Sequence, residues 1–141
     1  MKPTSSINYI EREYQNTLIR MLFVESLGEC MYNVLSSKTA DEESASIYKR
    51  LSLNEAETAG RIVNEMKRLD ISVPTTRASI LKIIALTFFS VLSQNILKNL
   101  LKNTLNKRMF RLWFSLYHEY NEQFWQSMID HEVLQHELLE L

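Results

Sequence analysis

The sequence predicts an all-α protein, and three observations lead to this prediction. Only 2 Gly and 2 Pro occur among the 141 residues, which is fewer turn residues than a strand-rich fold needs. Apolar residues recur at three- and four-residue spacings, and short polar segments separate four such stretches. Four long helices with short connections indicate an antiparallel four-helix bundle. We therefore expect one domain, residues 1–141, with helices over about 6–37, 42–70, 77–105 and 107–140.

The first two predicted helices each have an apolar stripe. The first stripe consists of Ile10, Tyr14, Leu18, Met21, Leu22, Met31, Tyr32 and Leu35. The polar segment SSKTADEES ends that helix, and Asp41 is placed to cap the second one. The second stripe consists of Ile47, Leu51, Ile62, Met66 and Leu69. Gly60 costs this helix about 1 kcal/mol relative to alanine, which suggests close packing or a bend there.

The segment LDISVPTTRAS separates the second helix from the third. Pro74 disfavours helical geometry at Val73, and Thr76 is placed to cap the third helix. Residues 80–101 form the most apolar run, ILKIIALTFFSVLSQNILKNLL, and we expect them to be the most buried helix. The uninterrupted part, 83–92, is about half a membrane span, so membrane-surface contact is only a minor alternative. The polar segment NTLNKR joins the third helix to the fourth.

Composition narrows the range of partners and compartments. There are 16 basic and 17 acidic residues, a net charge of −1, so no nucleic-acid partner is expected. A single cysteine, Cys30, excludes an intrachain disulfide and suits a reducing, cytoplasmic compartment. We expect Cys30 to be a small buried core residue. The N-terminal segment has no apolar core, so no secretion signal is expected.

Acidic and amide residues interrupt the apolar stripes. The inward positions are Leu51, Glu55, Thr58 and Ile62 on the second helix, and Met128, Glu132, Gln135 and Leu139 on the fourth. Glu25 falls on the inner face of the first helix and Gln94 on that of the third. Isolated buried carboxylates are expensive, so they should be protonated, hydrogen-bonded or bound to a cation. A pair of metal ions between the helices would satisfy several of them at once.

Two stretches carry a resemblance to a known family. They are ESLGECMY, residues 25–32, and IYKRLSLNEAETAGRI, residues 47–62. They resemble the first half of the ferritin-like superfamily, closest to its rubrerythrin-type members, in which a Glu precedes a Tyr by seven residues and a Glu-x-x-His-Ala segment follows. The residues that match are Glu25, Tyr32, Glu55 and Ala59. The stretch FWQSMIDHEVLQHELLEL resembles the final helix of the family more loosely. The resemblance implies a ferritin-like bundle with a carboxylate-rich di-metal centre.

The sequence departs from that family pattern at both expected histidines. Thr58 and Gln135 stand where the resemblance implies imidazole ligands. His136 comes one residue late, which rotates it by about 100° around the helix. Gln94 is the best occupant of the remaining glutamate position. The predicted site is therefore an incomplete di-metal centre whose candidate ligands are Glu25, Glu55, Glu132 and His136, with iron or manganese as the implied metal.

Simpler interpretations of the same residues remain open. The acids can lie on the flanks of the stripes, solvated or paired with Lys49, Arg50 and Arg61. Thr58 and Gln135 can hydrogen-bond to the acids in a metal-free bundle. His131 and His136 can either bind a single zinc or iron ion or form an exposed polar face on an acidic helix end.

Three functions follow from these alternatives. The favoured one is a helical protein with an incomplete di-metal site that binds a partner or small molecule, or acts as a structural dimer. The second is an iron- or manganese-dependent oxidoreductase with an atypical glutamate-rich site, which uses His136 through a helix irregularity. The third is a plain helical adaptor. Whether the protein is an enzyme is left open. A homo-oligomer or a protein partner is expected from the aromatic and apolar excess on the last helix.

Overall fold

All regular secondary structure in the described residues is helical, which confirms the all-α prediction. The computed structural model describes residues 4–105 and 109–139, with side chains over 9–104 and 110–139. The helices are α1 (Thr4–Lys38), α2 (Glu42–Arg68), α3 (Thr75–Val91), α4 (Gln94–Leu105), α5 (Met109–Tyr117) and α6 (Glu122–Leu139). A single 3-10 turn, His118–Tyr120, precedes α6.

The two ends of α2 have recognisable capping motifs. Asp41 caps the N-terminus as predicted, because its Oδ2 accepts a hydrogen bond from the backbone N–H of Ser44 at 2.9 Å. At the other end Asp70 adopts a left-handed backbone conformation with φ 57°. The N–H of Ile71 then donates to the carbonyl of Met66 at 2.8 Å. This reversed turn is a Schellman motif, which satisfies the last carbonyls of α2 and starts the connection to α3.

The segment expected as one helix over 77–105 is divided into α3 and α4. Leu92 is extended, and the Ser93 hydroxyl oxygen accepts a hydrogen bond from the N–H of Ile96 at 3.3 Å, so Ser93 caps α4. Lys38, at the end of α1, donates from Nζ to the carbonyls of Ser90 and Leu92. A cation bonded to the terminal carbonyls of α3 stabilises the helix end at this position.

The last expected helix, over 107–140, is also divided. Residues 106–108 and 140–141 lie outside the described residues, and α5 ends at Tyr117. Asn121 is extended and caps α6, because its Oδ1 accepts a hydrogen bond from the N–H of Phe124 at 3.2 Å. The chain therefore turns between α5 and α6, and the two helices contact each other.

The prediction that residues 80–101 form the most buried helix is wrong. Within α3 only Ala85 and Phe89 are buried, and Ile83 is 66 % exposed. α3 begins at Thr75, before the expected cap Thr76. Six large apolar side chains of α3 are exposed, and five of them share one side of the helix, here called the α3 face: Ile80, Ile83, Ile84, Phe88 and Val91. Among the described residues, no helix is both long and apolar enough to span a bilayer. Apolar content thus predicts a helix here, but not which side of it is covered.

The core consists of two apolar clusters. The first cluster is Tyr14, Leu18, Met21, Leu22, Ile62, Met66, Phe110, Trp113, Phe124, Trp125 and Met128. The second cluster is Cys30, Tyr32, Val34, Leu35, Tyr48, Leu51, Ala85, Phe89, Leu97 and Leu101, with Leu138 and Leu139 packed against it. Because α1 and α6 pass from the first cluster to the second while α2 passes the opposite way, α2 is antiparallel to both. Cys30 is a buried free thiol, as predicted.

A buried hydrogen-bond network joins α1, α2 and α6 at the first cluster. Glu65 accepts hydrogen bonds from the hydroxyl of Tyr14 at 3.1 Å and from the amide of Asn121 at 2.9 Å. Arg68 pairs with the same carboxylate at 2.7 Å, and Trp125 Nε1 donates to the Tyr14 oxygen at 3.2 Å. Burial opposes ionisation of Glu65, but the hydrogen bonds from Arg68 and Asn121 outweigh it, so its pKa is lowered. Glu65 is therefore an ionised structural residue.

We expect Glu65→Gln to lower the free energy of unfolding at pH 7 by roughly 1–2 kcal/mol, because charge-assisted hydrogen bonds are lost. The native pKa of Glu65 lies below its unfolded value, so its contribution is present above the unfolded pKa and lost as pH falls through the native one. Urea unfolding at pH 7 and at acidic pH checks this. Glu57→Gln, an exposed acid on the same helix, is the matched control. An equal effect of Glu65→Gln at both pH values would contradict the assignment.

Candidate metal centre

A polar layer lies between the two apolar clusters. It is made of Glu25 and Ser26 from α1, Ser52, Glu55 and Thr58 from α2, and His131, Glu132 and Gln135 from α6. All of these residues are buried, and on each helix one cluster precedes the layer and the other follows it. The alternative in which the three predicted glutamates lie in solvent on the flanks of the stripes is therefore wrong. Arg61, one of the proposed neutralising cations, instead pairs with the exposed Glu57 at 2.7 Å.

Three side chains in this layer bring potential metal ligands together. His131 Nε2 lies 3.0 Å from Glu25 Oε2 and 3.5 Å from Glu55 Oε1. One ligand atom from each residue falls within 4.8 Å of the others. The 3.0 Å contact is within ion-pair range but lacks hydrogen-bond geometry, and both of its atoms are buried without a hydrogen-bond partner among the described residues. Two polar atoms thus face each other in the protein interior without a directional bond.

The carboxyl group of Glu55 lies in an environment that favours its protonated form. Burial raises its pKa well above the usual range, and the neighbouring Glu25 carboxylate raises it further. Gln135 Nε2 makes a very short hydrogen bond to Glu55 Oε1, which agrees with the expectation that this amide pairs with an acid. A proton, or a cation in its place, is therefore needed where Glu25 and Glu55 meet.

Gly28 makes room for the Glu55 carboxyl group. A Cβ atom at position 28 would lie 2.9 Å from Glu55 Oε2 and 3.0 Å from its Cδ, closer than unstrained contacts allow. One turn away, the Ser52 hydroxyl donates to the backbone carbonyl of Glu29 at 3.1 Å, which also reflects the close approach of α1 and α2. Gly60, where close packing or a bend was expected, is exposed instead, and a Cβ atom added there would have no neighbouring atom within 4 Å.

The imidazole of His131 is held from its other side. Asn54, on α2, places its side-chain nitrogen 2.8 Å from His131 Nδ1. The ring of Phe110 packs beside the imidazole with centroids 6.3 Å apart. These contacts fix the orientation of the ring so that Nε2 points toward Glu25 and Glu55. Histidine ligands in metal sites are commonly oriented in this way through the nitrogen that does not bind metal.

A cavity of about 210 Å³ adjoins the polar layer. Its polar lining includes Glu25, Glu55, Glu132 and Gln135, together with Tyr32. The remaining walls are apolar, from α1, α3, α4 and α5: Leu27, Met31, Phe89, Leu101, Phe110 and Trp113. Thr104, whose side chain is exposed, also lines it, so the cavity reaches the surface at α4. A ligand bound to the acids would therefore have space beside it.

The structure brings together some of the side chains that the sequence singles out as candidate ligands, and not others. Glu25 and Glu55 converge as expected, and Glu132 is buried and lines the same cavity. His136 is half-buried and does not belong to the group of converging ligand atoms, whereas His131 does. The interpretation of His131 as part of an exposed polar face is therefore wrong.

Gln94 does not reach the layer. It is the first residue of α4 and donates from Nε2 to the hydroxyl of Thr39 at 3.2 Å, beyond the end of α1. Spacing alone favours Glu132 as the inward residue of its turn, so it does not predict that His131 lies beside Glu25 and Glu55. The buried stripe of α6 is broad enough for both, since 124, 125, 128, 131, 132 and 135 are all buried.

Comparison with known proteins supplies no relative for this chain: no family model, curated protein or solved structure matches it. The ferritin-like resemblance therefore stays a prediction that rests on residues of this sequence.

We expect Glu55→Gln to raise the free energy of unfolding of the metal-free protein at pH 7 by roughly 1–3 kcal/mol, because the variant buries no titrating acid. The native pKa of Glu55 lies above its unfolded value, so the wild-type protein loses stability as pH rises above the unfolded pKa. Urea unfolding in chelator across a pH series checks both statements. Glu57→Gln, an exposed site two residues away, should leave the pH dependence unchanged. A less stable Glu55→Gln variant at pH 7 would contradict this account.

Proposed function

We propose that this protein binds one divalent transition-metal ion between α1, α2 and α6, with Glu25, Glu55 and His131 as its ligands. One observation carries the proposal: the potential ligand atoms of these three buried side chains lie within 4.8 Å of one another. They come from three different helices, so a bound ion would also join those helices through the centre of the core.

The electrostatics of the polar layer favour a cation. Two carboxyl groups and one imidazole are buried between apolar clusters, and isolated charges are costly in such surroundings. A divalent ion would replace the proton that the raised pKa of Glu55 retains, and it would give the atoms of Glu25 and His131 a directional partner. Imidazole with carboxylate suits Fe²⁺, Mn²⁺ and Zn²⁺. The donor set therefore supports a transition metal over Ca²⁺, which prefers oxygen ligands alone.

Asn54 supports the same proposal from outside the ligand set. A metal bound at Nε2 requires the proton of a neutral imidazole to reside on Nδ1. The amide nitrogen of Asn54 lies 2.8 Å from His131 Nδ1. A 180° rotation of the amide would put its oxygen there instead, and that oxygen would accept a hydrogen bond from Nδ1–H. Asn54 would then orient the ligand without binding the metal itself.

The proposal differs from the di-metal centre that the family resemblance implies. His131 replaces His136 among the ligands, and one ion replaces two. Glu132 and Gln135 lie beside the site, where they can hydrogen-bond to the ligands or to metal-bound water. A ferritin-like bundle as the origin of the fold remains part of the proposal, supported by the shared burial of Glu25, Tyr32 and Glu55. Three protein ligands leave coordination positions free, as in catalytic rather than structural metal sites.

Metal titration of the purified protein tests this proposal. We expect one equivalent of Co²⁺ or Zn²⁺ to bind and to raise the melting temperature, with protons released on binding because the raised pKa of Glu55 favours its protonated form. Glu25→Gln, Glu55→Gln and His131→Gln should each weaken binding by at least about 100-fold. Calorimetry in two buffers of different ionisation enthalpy measures the affinity and the proton release together.

Two matched variants make the metal test specific. His136→Gln changes a half-buried histidine on the same helix, and Glu57→Gln changes an exposed acid near Glu55. Both should keep wild-type stoichiometry. Loss of metal in His136→Gln with retention in His131→Gln would replace the proposed ligand set by the one expected from the sequence. No metal uptake by the wild-type protein would reject the proposal outright.

We also propose that the protein self-associates through the α3 face. Its five apolar side chains recur at three- and four-residue intervals along one side of α3, and Val91 is 77 % exposed. Contiguous apolar patches of this kind mark protein interfaces. The helix carries only the two charges of Arg77 and Lys82, both basic. Lys82 is already paired with Glu29 at 2.9 Å, so one of these two charges is neutralised within the chain. The apolar stripe would be covered by the same stripe of a second copy around a twofold axis, the commonest symmetry of homo-oligomers.

Sedimentation equilibrium over a concentration series checks self-association. We expect a dimer in the wild-type protein, and Ile84→Glu or Phe88→Glu should weaken it by more than about ten-fold, since a charge would enter an apolar interface. Leu53→Glu is the matched control, because Leu53 is a singly exposed apolar residue on α2. A wild-type protein that stays monomeric throughout the series would reject this proposal and leave the metal proposal untouched.

A further inference from the structure

The cavity beside the polar layer is the feature of the molecule that the metal ion alone does not explain. Its volume is about 210 Å³. An engineered protein cavity of about 150 Å³ is large enough for benzene. The cavity is therefore large enough for a molecule with one six-membered ring and a short substituent. Its position between α1, α4 and α5 places such a molecule next to Glu25 and Glu55.

The side chains that line the cavity indicate which kind of molecule fits it. Apolar and aromatic side chains make up most of the lining, and Phe89, Leu101 and Phe110 are themselves buried. Pockets that bind small molecules are built in this way, with a largely apolar wall and a few polar groups that fix orientation. A hydrocarbon ring or a branched aliphatic chain matches this lining, whereas a polyhydroxylated or highly charged molecule does not.

The Tyr32 hydroxyl group of the lining has no hydrogen-bond acceptor in the described part of the chain. The hydroxyl group of Tyr32 is buried, and no group there accepts a hydrogen bond from it, because the Gln135 amide that lies near its oxygen is a donor. Burial, followed by the charge of Glu55, raises the pKa of this phenol, and the nearby Gln135 amide offsets only part of that rise, so Tyr32 keeps its proton. Buried hydroxyl groups are normally hydrogen-bonded. An oxygen atom of a ligand in the cavity would give this proton the acceptor that the described chain does not provide.

The charges around the cavity select an uncharged ligand. Glu25, Glu55 and Glu132 all line it, which disfavours an anion. With a divalent ion at the proposed site, an ammonium group would have to compete with that ion for the same carboxylate oxygens. A neutral hydroxyl group avoids both penalties, because it can accept from Tyr32 while it donates to a carboxylate oxygen.

We propose that this cavity binds a small uncharged alcohol with an apolar ring or branched chain, whose hydroxyl oxygen accepts a hydrogen bond from Tyr32. This proposal rests on the proposed function only for the charge of the site, since the metal disfavours a cationic ligand. The apolar walls and the Tyr32 hydroxyl group do not depend on the metal. The alcohol is bound here without any chemical step being assigned to it.

Calorimetric titration of the metal-loaded protein with three probes of one ring size tests the proposal. The probes are cyclohexanol, cyclohexylammonium and cyclohexanecarboxylate. Cyclohexanol should bind with a Kd on the order of 1 mM or tighter, and the two charged probes should bind more weakly. Tyr32→Phe should weaken cyclohexanol binding by about five-fold, because one hydrogen bond is lost. Binding of the anion or the cation as tight as that of the alcohol would overturn the proposal.

A variant that fills the cavity separates ligand binding from metal binding. Val24→Phe places a larger side chain at a half-buried lining position and should abolish cyclohexanol binding while metal stoichiometry stays unchanged. Val133→Phe, an exposed site on α6 outside the lining, is the matched control and should bind both. Unchanged cyclohexanol binding in Val24→Phe would overturn the cavity as the site. If the wild-type protein takes up no metal but binds cyclohexanol in a Tyr32-dependent manner, the metal proposal fails and this one stands.

Discussion

The burial of two carboxyl groups and an imidazole across the middle of the core is the constraint on which the rest of the structure depends. Apolar residues fill both ends of the helical core, so these groups are largely removed from the water that would solvate their charge, and the cavity at α4 leads from them to the surface. Their positions are held by helices that must pack correctly at both ends before the groups meet. The two clusters thus contribute most of the apolar burial, and the layer between them determines which atoms face one another.

The polar layer and the Glu65 network illustrate two different solutions to a buried acid. Glu65 has an arginine, an asparagine amide and a phenol around one carboxylate, so its ionised form is satisfied within the protein. Glu55 has an amide and a second acid instead, so its protonated form is favoured. The first arrangement stabilises the fold by itself. The second leaves the carboxyl group in need of a proton or a cation, and this need is the basis of the metal proposal.

The sequence is sufficient to predict helices from apolar periodicity, and the cap at Asp41 from a polar residue before an acidic first turn. It also predicts that Glu25 and Glu55 converge, because each interrupts the inward stripe of its own helix. It does not reveal two helix breaks, although each contains a capping residue, Ser93 and Asn121. Polar side chains of this type also occur inside helices, so tertiary contacts decide which role they take. The sequence also does not predict that one side of α3 is exposed, because an apolar helix can have the same composition whether that side is buried or exposed.

Apolar periodicity does not predict that His131, and not His136, lies beside Glu25 and Glu55. Adjacent positions on α6 differ by about 100° in direction, and a broad buried stripe accommodates either one of two neighbouring residues. Only the positions of α1 and α2 relative to α6 decide which side chain meets Glu25. Phe110, from α5, and Asn54, from α2, then fix the ring. Which histidine faces Glu25 and Glu55 thus depends on the packing of four helices together.

The polar layer depends on the fact that Gly28 has no Cβ atom. The smallest possible addition at that position, one methyl group, would lie 2.9 Å from Glu55 Oε2 and would displace the Glu55 carboxyl group. The effect of such a methyl group would be local, because the nearest atoms to it all belong to the Glu55 carboxyl group. The position of the Glu55 carboxyl group beside α1 therefore depends on the absence of a side chain at residue 28.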